Sequence, residues 1–202
     1  MKLDAEQPIV GERYASLIFD RRQALAQTLA GIVRPTDKLV CEIGSGHGHF
    51  LTAYALKHPH EVCIGIDIIG ERVARAVRKR DRAKLKHLHF VHADAGLFID
   101  TLPSGASISR VFILFPDPWP KTRHHKHRVI QPDFLERLAS RMSSDAELFF
   151  RTDHLPYFEY AKTSIQVHPR WKVTEKSWPF EHETVFQQRA LQYYSLSAGR
   201  RH

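Results

Sequence analysis

The sequence has few cysteines, no signal-peptide pattern and no long apolar run, and each shortage excludes a class of protein. Its 202 residues include two cysteines, too few for a disulfide framework or a cysteine-rich zinc site. Cys41 and Cys63 lie in apolar runs that are typical of neighbouring buried strands. The N-terminus lacks the apolar core of a signal peptide, and no apolar run approaches the roughly 18 residues of a membrane span. We therefore expect a soluble, reduced, cytoplasmic protein with no membrane partner.

Acidic residues are also scarce relative to basic ones. The chain has 30 Lys and Arg against 22 Asp and Glu, a formal net charge of +8, with 14 His besides. Because 43% of the residues are hydrophobic, the chain can bury a core and disorder is excluded. A basic excess on a globular chain favours a polyanion such as nucleic acid or an anionic membrane surface. A merely soluble basic protein is the alternative.

Short apolar runs alternate with segments of helical periodicity along the chain. Helices are predicted over Glu12–Ile32, His49–Lys57, Gly70–Asp81, Ala95–Leu102, Gln131–Met142 and Pro156–Val167. Strands are predicted over Lys38–Ile43, Val62–Asp67, Leu88–His92, Arg110–Phe115, Glu147–Arg151, Lys172–Glu175 and Leu191–Leu196.

This alternation predicts an α/β fold: a Rossmann-like, doubly wound, mostly parallel sheet that is covered on both faces and preceded by an N-terminal helix. We expect a single domain over residues 1–202, with a helical segment at about 12–34 and a core at about 37–196. Ligands in such folds collect beyond the carboxyl ends of the strands. The loops after the first five strands should therefore carry the chemistry.

A glycine-rich turn follows the first strand, in the run Glu42-Ile43-Gly44-Ser45-Gly46-His47-Gly48. Glycine permits a tight turn and a close approach of the backbone to a ligand. The third glycine stands one place too early for a dinucleotide fingerprint, and a nucleoside-triphosphate loop is excluded because Gly-Lys-Ser/Thr is absent. By itself the run also fits a plain structural turn.

Acidic residues stand at the ends of three predicted strands. Asp67 ends the second strand, where a carboxylate can hold the hydroxyls of a ribose. Asp94 follows the third strand, within reach of an adenine amino group, and Glu42 could meet a ligand ammonium group directly or through water. Carboxylates without a lysine suit S-adenosylmethionine, which carries a sulfonium and an ammonium group. Each carboxylate alone also fits a solvated strand end, but together they resemble the class I methyltransferases over roughly Asp37–Asp94.

The fourth strand continues into Phe115-Pro116-Asp117-Pro118-Trp119-Pro120-Lys121-Thr122-Arg123-His124-His125-Lys126-His127-Arg128. Three prolines stiffen this loop and end the strand, since proline cannot donate to a sheet ladder. They should direct Asp117 and Trp119 outward, Trp119 either to stack on a base or to pack as a lid. The basic run that follows is typical of phosphate contacts, although a solvated face or a zinc site of the three histidines are alternatives.

With these residues the sequence resembles the bacterial tRNA (guanine-N7)-methyltransferases from about Lys38 to Arg189. The matching residues are Glu42–Gly48, Gly65–Asp67, Asp94-Ala95, Phe115–Arg128, Thr152-Asp153, Thr184-x-Phe186 and Arg189. The resemblance implies methyl transfer from S-adenosylmethionine to N7 of a guanosine in tRNA. We expect a monomer or homodimer and no metal. The implied donor-binding residues are Glu42, Gly44, Gly46, Gly48, Asp67, Asp94 and Asp117, of which Asp117 is catalytic. The implied substrate- and RNA-binding residues are Lys121, Arg123, Lys126, Arg128, Asp153, Thr184 and Gln187.

Methylation of guanine N7 needs no strong general base, because this nitrogen carries a free lone pair. Orientation of the reactants is the main requirement. We expect Asp117 and Asp153 to accept hydrogen bonds from N1–H and the 2-amino group, which selects guanine and places negative charge near a ring that becomes cationic. Lys121 would approach O6 or a phosphate.

Two departures from the family pattern concern the substrate half of the site. Gln187 stands where the family has Glu, and the Gly-x-Pro turn after Arg189 is missing. An RNA-binding paralogue with little activity, or a methyltransferase of another RNA or a small molecule, therefore stays as an alternative.

Overall fold

The computed structural model describes residues 10–182 and 190–201, with residues 10–14 described as backbone only. Its α-helices are α1 (Val10–Ala30), α2 (His49–Lys57), α3 (Gly70–Arg82), α4 (Ala95–Thr101), α5 (Pro132–Arg141) and α6 (Leu155–Val167). Its strands are β1 (Lys38–Ile43), β2 (Val62–Asp67), β3 (Leu88–His92), β4 (Ser107–Leu114), β5 (Met142–Thr152), β6 (Trp171–Thr174) and β7 (Tyr194–Arg200). A 3₁₀ helix spans Thr122–His127.

The seven strands form one sheet in the order β3-β2-β1-β4-β5-β7-β6. Strands β1 to β5 pair in parallel, and β7 runs antiparallel to both β5 and β6. The predicted α/β fold with a mostly parallel, doubly wound sheet is confirmed. Because the winding direction changes between β1 and β4, the loops after these two strands meet at the carboxyl edge, where such folds bind ligands.

Side chains alternate between two hydrophobic layers on either side of the sheet. In β1, Leu39 and Cys41 pack in the layer that holds α1, α4, α5 and α6, whereas Val40 packs in the layer that holds α2 and α3. This alternation follows from the two-residue repeat of a strand. Glu42 therefore shares the face of Val40, beneath the start of α2.

Most predicted elements are confirmed; helix ends differ from prediction by at most two residues, and the larger differences lie at strand ends. Strand β4 begins at Ser107, three residues earlier than predicted, and β5 begins at Met142, which the periodicity had placed in the preceding helix. The last strand is shifted toward the C-terminus, since Leu191 is fully exposed and lies outside β7. Within the described ranges, none of the helices combines the length and apolar character needed to cross a bilayer.

Candidate active site

The glycine turn after β1 has the backbone geometry that its sequence predicts. Gly44, Gly46 and Gly48 have φ values of 74°, 53° and 68°, in the left-handed region that favours glycine. A Cβ on Gly48 would collide with the Phe90 ring at 2.5 Å, so close packing also requires this glycine. A Cβ on Gly44 or Gly46 would meet nothing within 4 Å. The turn therefore borders open space in which a ligand can approach the backbone.

Asp67 links this turn to the end of β2 through hydrogen bonds. Its Oδ2 accepts a hydrogen bond from the backbone N–H of Gly46 at 2.8 Å, and its Oδ1 accepts one from the N–H of Ile69 at 2.8 Å. The side chain is 4% exposed. Because each carboxylate oxygen can accept a second hydrogen bond, this structural role leaves acceptor capacity for the hydroxyls of a ribose.

Glu42 is a buried carboxyl group with an unpaired oxygen. The residue is 4% exposed, the backbone N–H of Leu51 donates to its carboxyl group, and Oε2 has no hydrogen-bond partner among the described residues. Burial raises the pKa of Glu42 to about 8, the Asp67 charge adds to this effect, and the Leu51 N–H and Lys79 oppose it. An orphaned buried acceptor costs free energy until it is paired, and a ligand ammonium group would supply the partner.

Asp94 begins α4 at the end of the neighbouring strand β3. Its Oδ1 accepts a hydrogen bond from the backbone N–H of Leu97 at 3.0 Å, which is the usual geometry of an N-cap. The side chain is exposed. Glu42, Asp67 and Asp94 thus stand at the carboxyl ends of β1, β2 and β3, which are adjacent in the sheet.

The loop after β4 is held in an unusual conformation. Phe115 and Trp119 have φ values of 49° and 46°, in the left-handed region that residues with a side chain rarely adopt. The backbone N–H of Phe115 donates to the carbonyl oxygen of Arg151 on β5 at 2.7 Å, which ties the start of the loop to the sheet. Asp117 lies between the two left-handed residues and is exposed.

Arg128 differs from the prediction that it contacts the RNA backbone. It is 3% exposed, its Nε donates to the Pro118 carbonyl oxygen at 2.9 Å, and its guanidinium lies 4.8 Å and 5.1 Å from the ring centres of Tyr157 and Tyr160. These contacts hold the proline-rich loop against α6. We therefore assign Arg128 to the support of this loop and leave it out of the RNA surface.

The other predicted cations of this segment lie at the surface. Lys121, Arg123 and Lys126 are exposed on and beside the 3₁₀ helix. The Trp119 ring, which is partly buried, lies 5.9 Å from the His124 ring and 5.1 Å from the His127 ring, measured between centres. In the described part of the chain, no group of three or more His, Cys, Asp or Glu is arranged to hold a metal ion.

Asp153 lies across from Asp117 at the same edge of the sheet. Leu114 of β4 pairs with Arg151 of β5, and the two aspartates follow these paired residues by three and two positions. Asp153 is exposed, as is Asp117. The predicted substrate residues Thr184 and Gln187 lie outside the described residues, so their contacts stay predictions.

Arg151 is a buried residue beside the candidate site whose structural role sequence reasoning missed. It is 4% exposed, its Nη1 and Nη2 donate to the two carboxylate oxygens of Glu181 at 3.0 and 2.9 Å, and its Nε donates to Ser195 Oγ at 2.9 Å. Its guanidinium lies 3.9 Å from the Trp178 ring centre and 4.8 Å from that of Tyr193. Arg151 thus joins chain on both sides of residues 183–189 to β5. The available signal was an arginine that directly follows the apolar run Leu148–Phe150 of β5.

Solved structures with the same architecture are methyltransferases. The aminoglycoside resistance methyltransferase NpmB1 matches with a TM-score of 0.61 and 16% identity, over 87% of this chain and 93% of that one. TrmN from Thermus thermophilus matches with a TM-score of 0.58 and 16% identity, over 89% of this chain and 48% of that one. A family model described as "Putative methyltransferase" matches residues 36–194. The fold is therefore that of the class I methyltransferases, and the family model identifies the chain as a methyltransferase.

Comparison with curated relatives shows to which methyltransferase family the chain belongs. The tRNA (guanine-N(7)-)-methyltransferase of Caulobacter vibrioides is 35% identical over 170 residues, which is 78% of this chain and 75% of the relative. The protein of the same name from Lacticaseibacillus casei is 34% identical over 176 residues, or 81% of each chain. The chain belongs to the tRNA (guanine-N7)-methyltransferase family.

Proposed function

We propose that this protein transfers the methyl group of S-adenosylmethionine to N7 of a guanosine in tRNA. Family membership supports the substrate, since the relatives above are named for this reaction. The observation that supports S-adenosylmethionine as the methyl donor is the unpaired carboxyl oxygen of Glu42, which lies buried beside an open glycine turn. Such an acceptor is costly unless a cationic or hydrogen-donating ligand pairs with it.

The donor would be held by the three strand-end carboxylates and the glycine turn. Glu42 would receive the ammonium group, Asp67 the ribose hydroxyls and Asp94 the adenine amino group. Gly44 and Gly46 leave room for the backbone to approach the ligand. S-adenosylmethionine, when bound, supplies a methyl group made electrophilic by its positively charged sulfur.

Asp117 and Asp153 would hold the guanine by its Watson–Crick edge. Both are exposed at the ends of adjacent strands, and ionised carboxylates can accept from the guanine N1–H and 2-amino group. Adenine presents no such pair of donors, so these contacts select guanine. The N7 lone pair takes the methyl group as the carbon–sulfur bond breaks, and positive charge moves from sulfur onto the guanine. Negative charge held nearby stabilises that change without proton transfer.

The RNA backbone would contact the exposed cations Arg123 and Lys126, with Lys121 near O6 or a phosphate. Thr184 and Gln187 are proposed to complete the nucleoside site. We further propose that the enzyme acts in the cytoplasm as a monomer or homodimer. Both buried cysteines are free thiols, as expected of a reducing compartment.

The direct test incubates the purified protein with methyl-labelled S-adenosylmethionine and an unmodified tRNA transcript, followed by nuclease digestion and mass spectrometry of the nucleosides. We expect label in 7-methylguanosine, and loss of that label in Asp117→Asn. Label on another nucleoside would redirect the substrate within the same fold. Donor binding and tRNA binding without any label would favour an RNA-binding paralogue instead.

A further inference from the structure

A concave surface of about 510 Å³ beside the glycine turn is lined only by basic side chains. They come from the turn, the start of α2 and one face of α3, and we call this surface the α3 basic groove. Its lining residues are His47, His49, Arg75, Arg78, Lys79 and Arg82. The groove contains neither of the aspartates at the proposed guanine site and none of the cations of the 3₁₀ helix.

The four cations of α3 are arranged as a stripe. Arg75, Arg78, Lys79 and Arg82 follow the spacing i, i+3, i+4, i+7, which places them on one face of a helix. The buried residues Val73 and Ala76 lie on another face. Like charges at these spacings destabilise a helix by a few tenths of a kcal/mol per pair. An anionic ligand would relieve this repulsion.

In the described part of the chain, no salt bridge joins the stripe to an acidic side chain; Glu71, four positions before Arg75, is the one acidic residue of α3 on the same face. Asp81 of the same helix pairs with Arg80, whose Nη2 lies 2.7 Å from its carboxylate, outside the groove. Lys79 Nζ is buried without a hydrogen-bond partner among the described residues. The pKa of Lys79 is lowered by burial and by the Arg82 charge, which Glu42 partly opposes.

His49, at the other side of the groove, also lies close to other positive charges. Its pKa is lowered by burial and then by the charges of Lys79, His47 and His182. Burial and, after it, the neighbouring positive charges both disfavour protonation of His49. An anion bound in the groove would oppose both pKa shifts, because its charge offsets the repulsion among these cations.

We propose that the α3 basic groove binds backbone phosphates of the substrate RNA, as a second contact surface besides the cations of the 3₁₀ helix. This inference rests on the proposed function. Arginine guanidinium groups suit phosphate because their planar donors can bind two oxygens at once. From Arg75 to Arg82 the helix rises about 10 Å, over which one strand of a duplex presents about three phosphates. His47 belongs to the glycine turn, so RNA in the groove passes beside the donor site.

The test compares the triple variant Arg75→Gln/Arg78→Gln/Arg82→Gln with a control of equal charge loss, Lys38→Gln/Lys57→Gln/Lys172→Gln. The control lysines are exposed at the amino edge of the sheet, away from the groove. Glutamine keeps helix propensity close to that of arginine. Affinity for an unmodified tRNA transcript is measured over a series of salt concentrations, together with the KM for tRNA. S-adenosylmethionine affinity without RNA serves as the folding check for both variants.

We expect the groove variant to bind tRNA roughly tenfold or more weakly at about 0.1 M salt, with the salt slope reduced by about two to three and a raised KM for tRNA. The control should change the slope by less than one. Equal slopes in the groove variant and the control would overturn the groove while leaving the proposed reaction intact. If the wild type binds tRNA through the groove but transfers no methyl group, the proposed reaction fails and the groove stands. No tRNA binding by the wild type would overturn both.

Discussion

Replacement of Glu42 by Gln should stabilise the free protein and weaken its binding of S-adenosylmethionine. The glutamate is almost fully buried, and its Oε2 has no partner among the described residues. Its pKa is raised from 4.5 to about 8, chiefly by burial. Glutamine has nearly the same shape but carries no ionisable group, so the substitution removes the cost of a buried charge.

The size of the effect follows from proton linkage. The folded protein binds the Glu42 proton more tightly than the unfolded chain, so the free energy of unfolding falls as pH rises from about 4.5 to about 8 and is level above that. The pKa difference corresponds to a loss of up to about 5 kcal/mol. The advantage of Glu42→Gln over the wild type should therefore grow with pH, reaching at least about 2 kcal/mol more at pH 9 than at pH 5.

Urea denaturation at pH 5, 7 and 9, without ligand, measures this difference. Glu71→Gln is the matched control, because Glu71 is exposed in the first turn of α3 and should show less than about 1 kcal/mol of pH-dependent change. In parallel, calorimetry should show that Glu42→Gln binds S-adenosylmethionine roughly 10- to 100-fold more weakly, as expected for the loss of a hydrogen bond to a charged group. Wild-type and Glu42→Gln stability curves that stay parallel from pH 5 to 9 would refute the reasoning.

Three further outcomes are expected. Asp117→Ala should lower kcat at least roughly 100-fold with a much smaller change in the affinity for S-adenosylmethionine. Steady-state kinetics and donor titration measure the two quantities. An equal loss of both would show that the assignment of Asp117 as the catalytic residue is wrong. In the wild type, donor affinity should rise as pH increases from 6 toward about 8, because Glu42 ionises while the donor's amino group is still protonated. A flat affinity profile by calorimetry over this range would count against an ammonium contact. Arg128→Lys should lower the free energy of unfolding by about 1–3 kcal/mol through the lost loop contact and ring stacking; an unchanged denaturation midpoint would place Arg128 outside the support of this loop.

The sheet and its ligand edge could be predicted because strong local signals mark them. The bounds of β1, α2, β2 and β3 agree with prediction, since each apolar run is ended by a turn signal such as Gly44 or an N-cap such as Asp94. Strand β5 was harder to place, since its first residues, Met142 to Asp145, are mostly polar and follow a helix without a break. Pairing with β4 brings Met142 into the sheet, and periodicity within a single segment does not report such pairing.

Among the residues of the candidate site, too, some positions follow from the local sequence and others depend on contacts with distant parts of the chain. The places of Glu42, Asp67 and Asp94 at neighbouring strand ends could be predicted because a strand end is recognisable from the sequence around it. Arg128 was misplaced because a basic run does not reveal which of its cations turns inward, and its burial depends on Tyr157 and Tyr160 of α6. The partners of Arg151 lie more than 25 positions further along the chain, beyond the reach of any local pattern.

The most direct test of the proposed reaction replaces the reacting atom. A tRNA transcript made with 7-deazaguanosine has a carbon–hydrogen group where guanine has N7 and keeps the Watson–Crick edge proposed to contact Asp117 and Asp153. We expect this RNA to compete with normal tRNA for binding at similar concentration and to accept no methyl label, while the normal transcript yields labelled 7-methylguanosine. Methyl transfer to the 7-deaza transcript would contradict the assignment of N7 as the methyl acceptor.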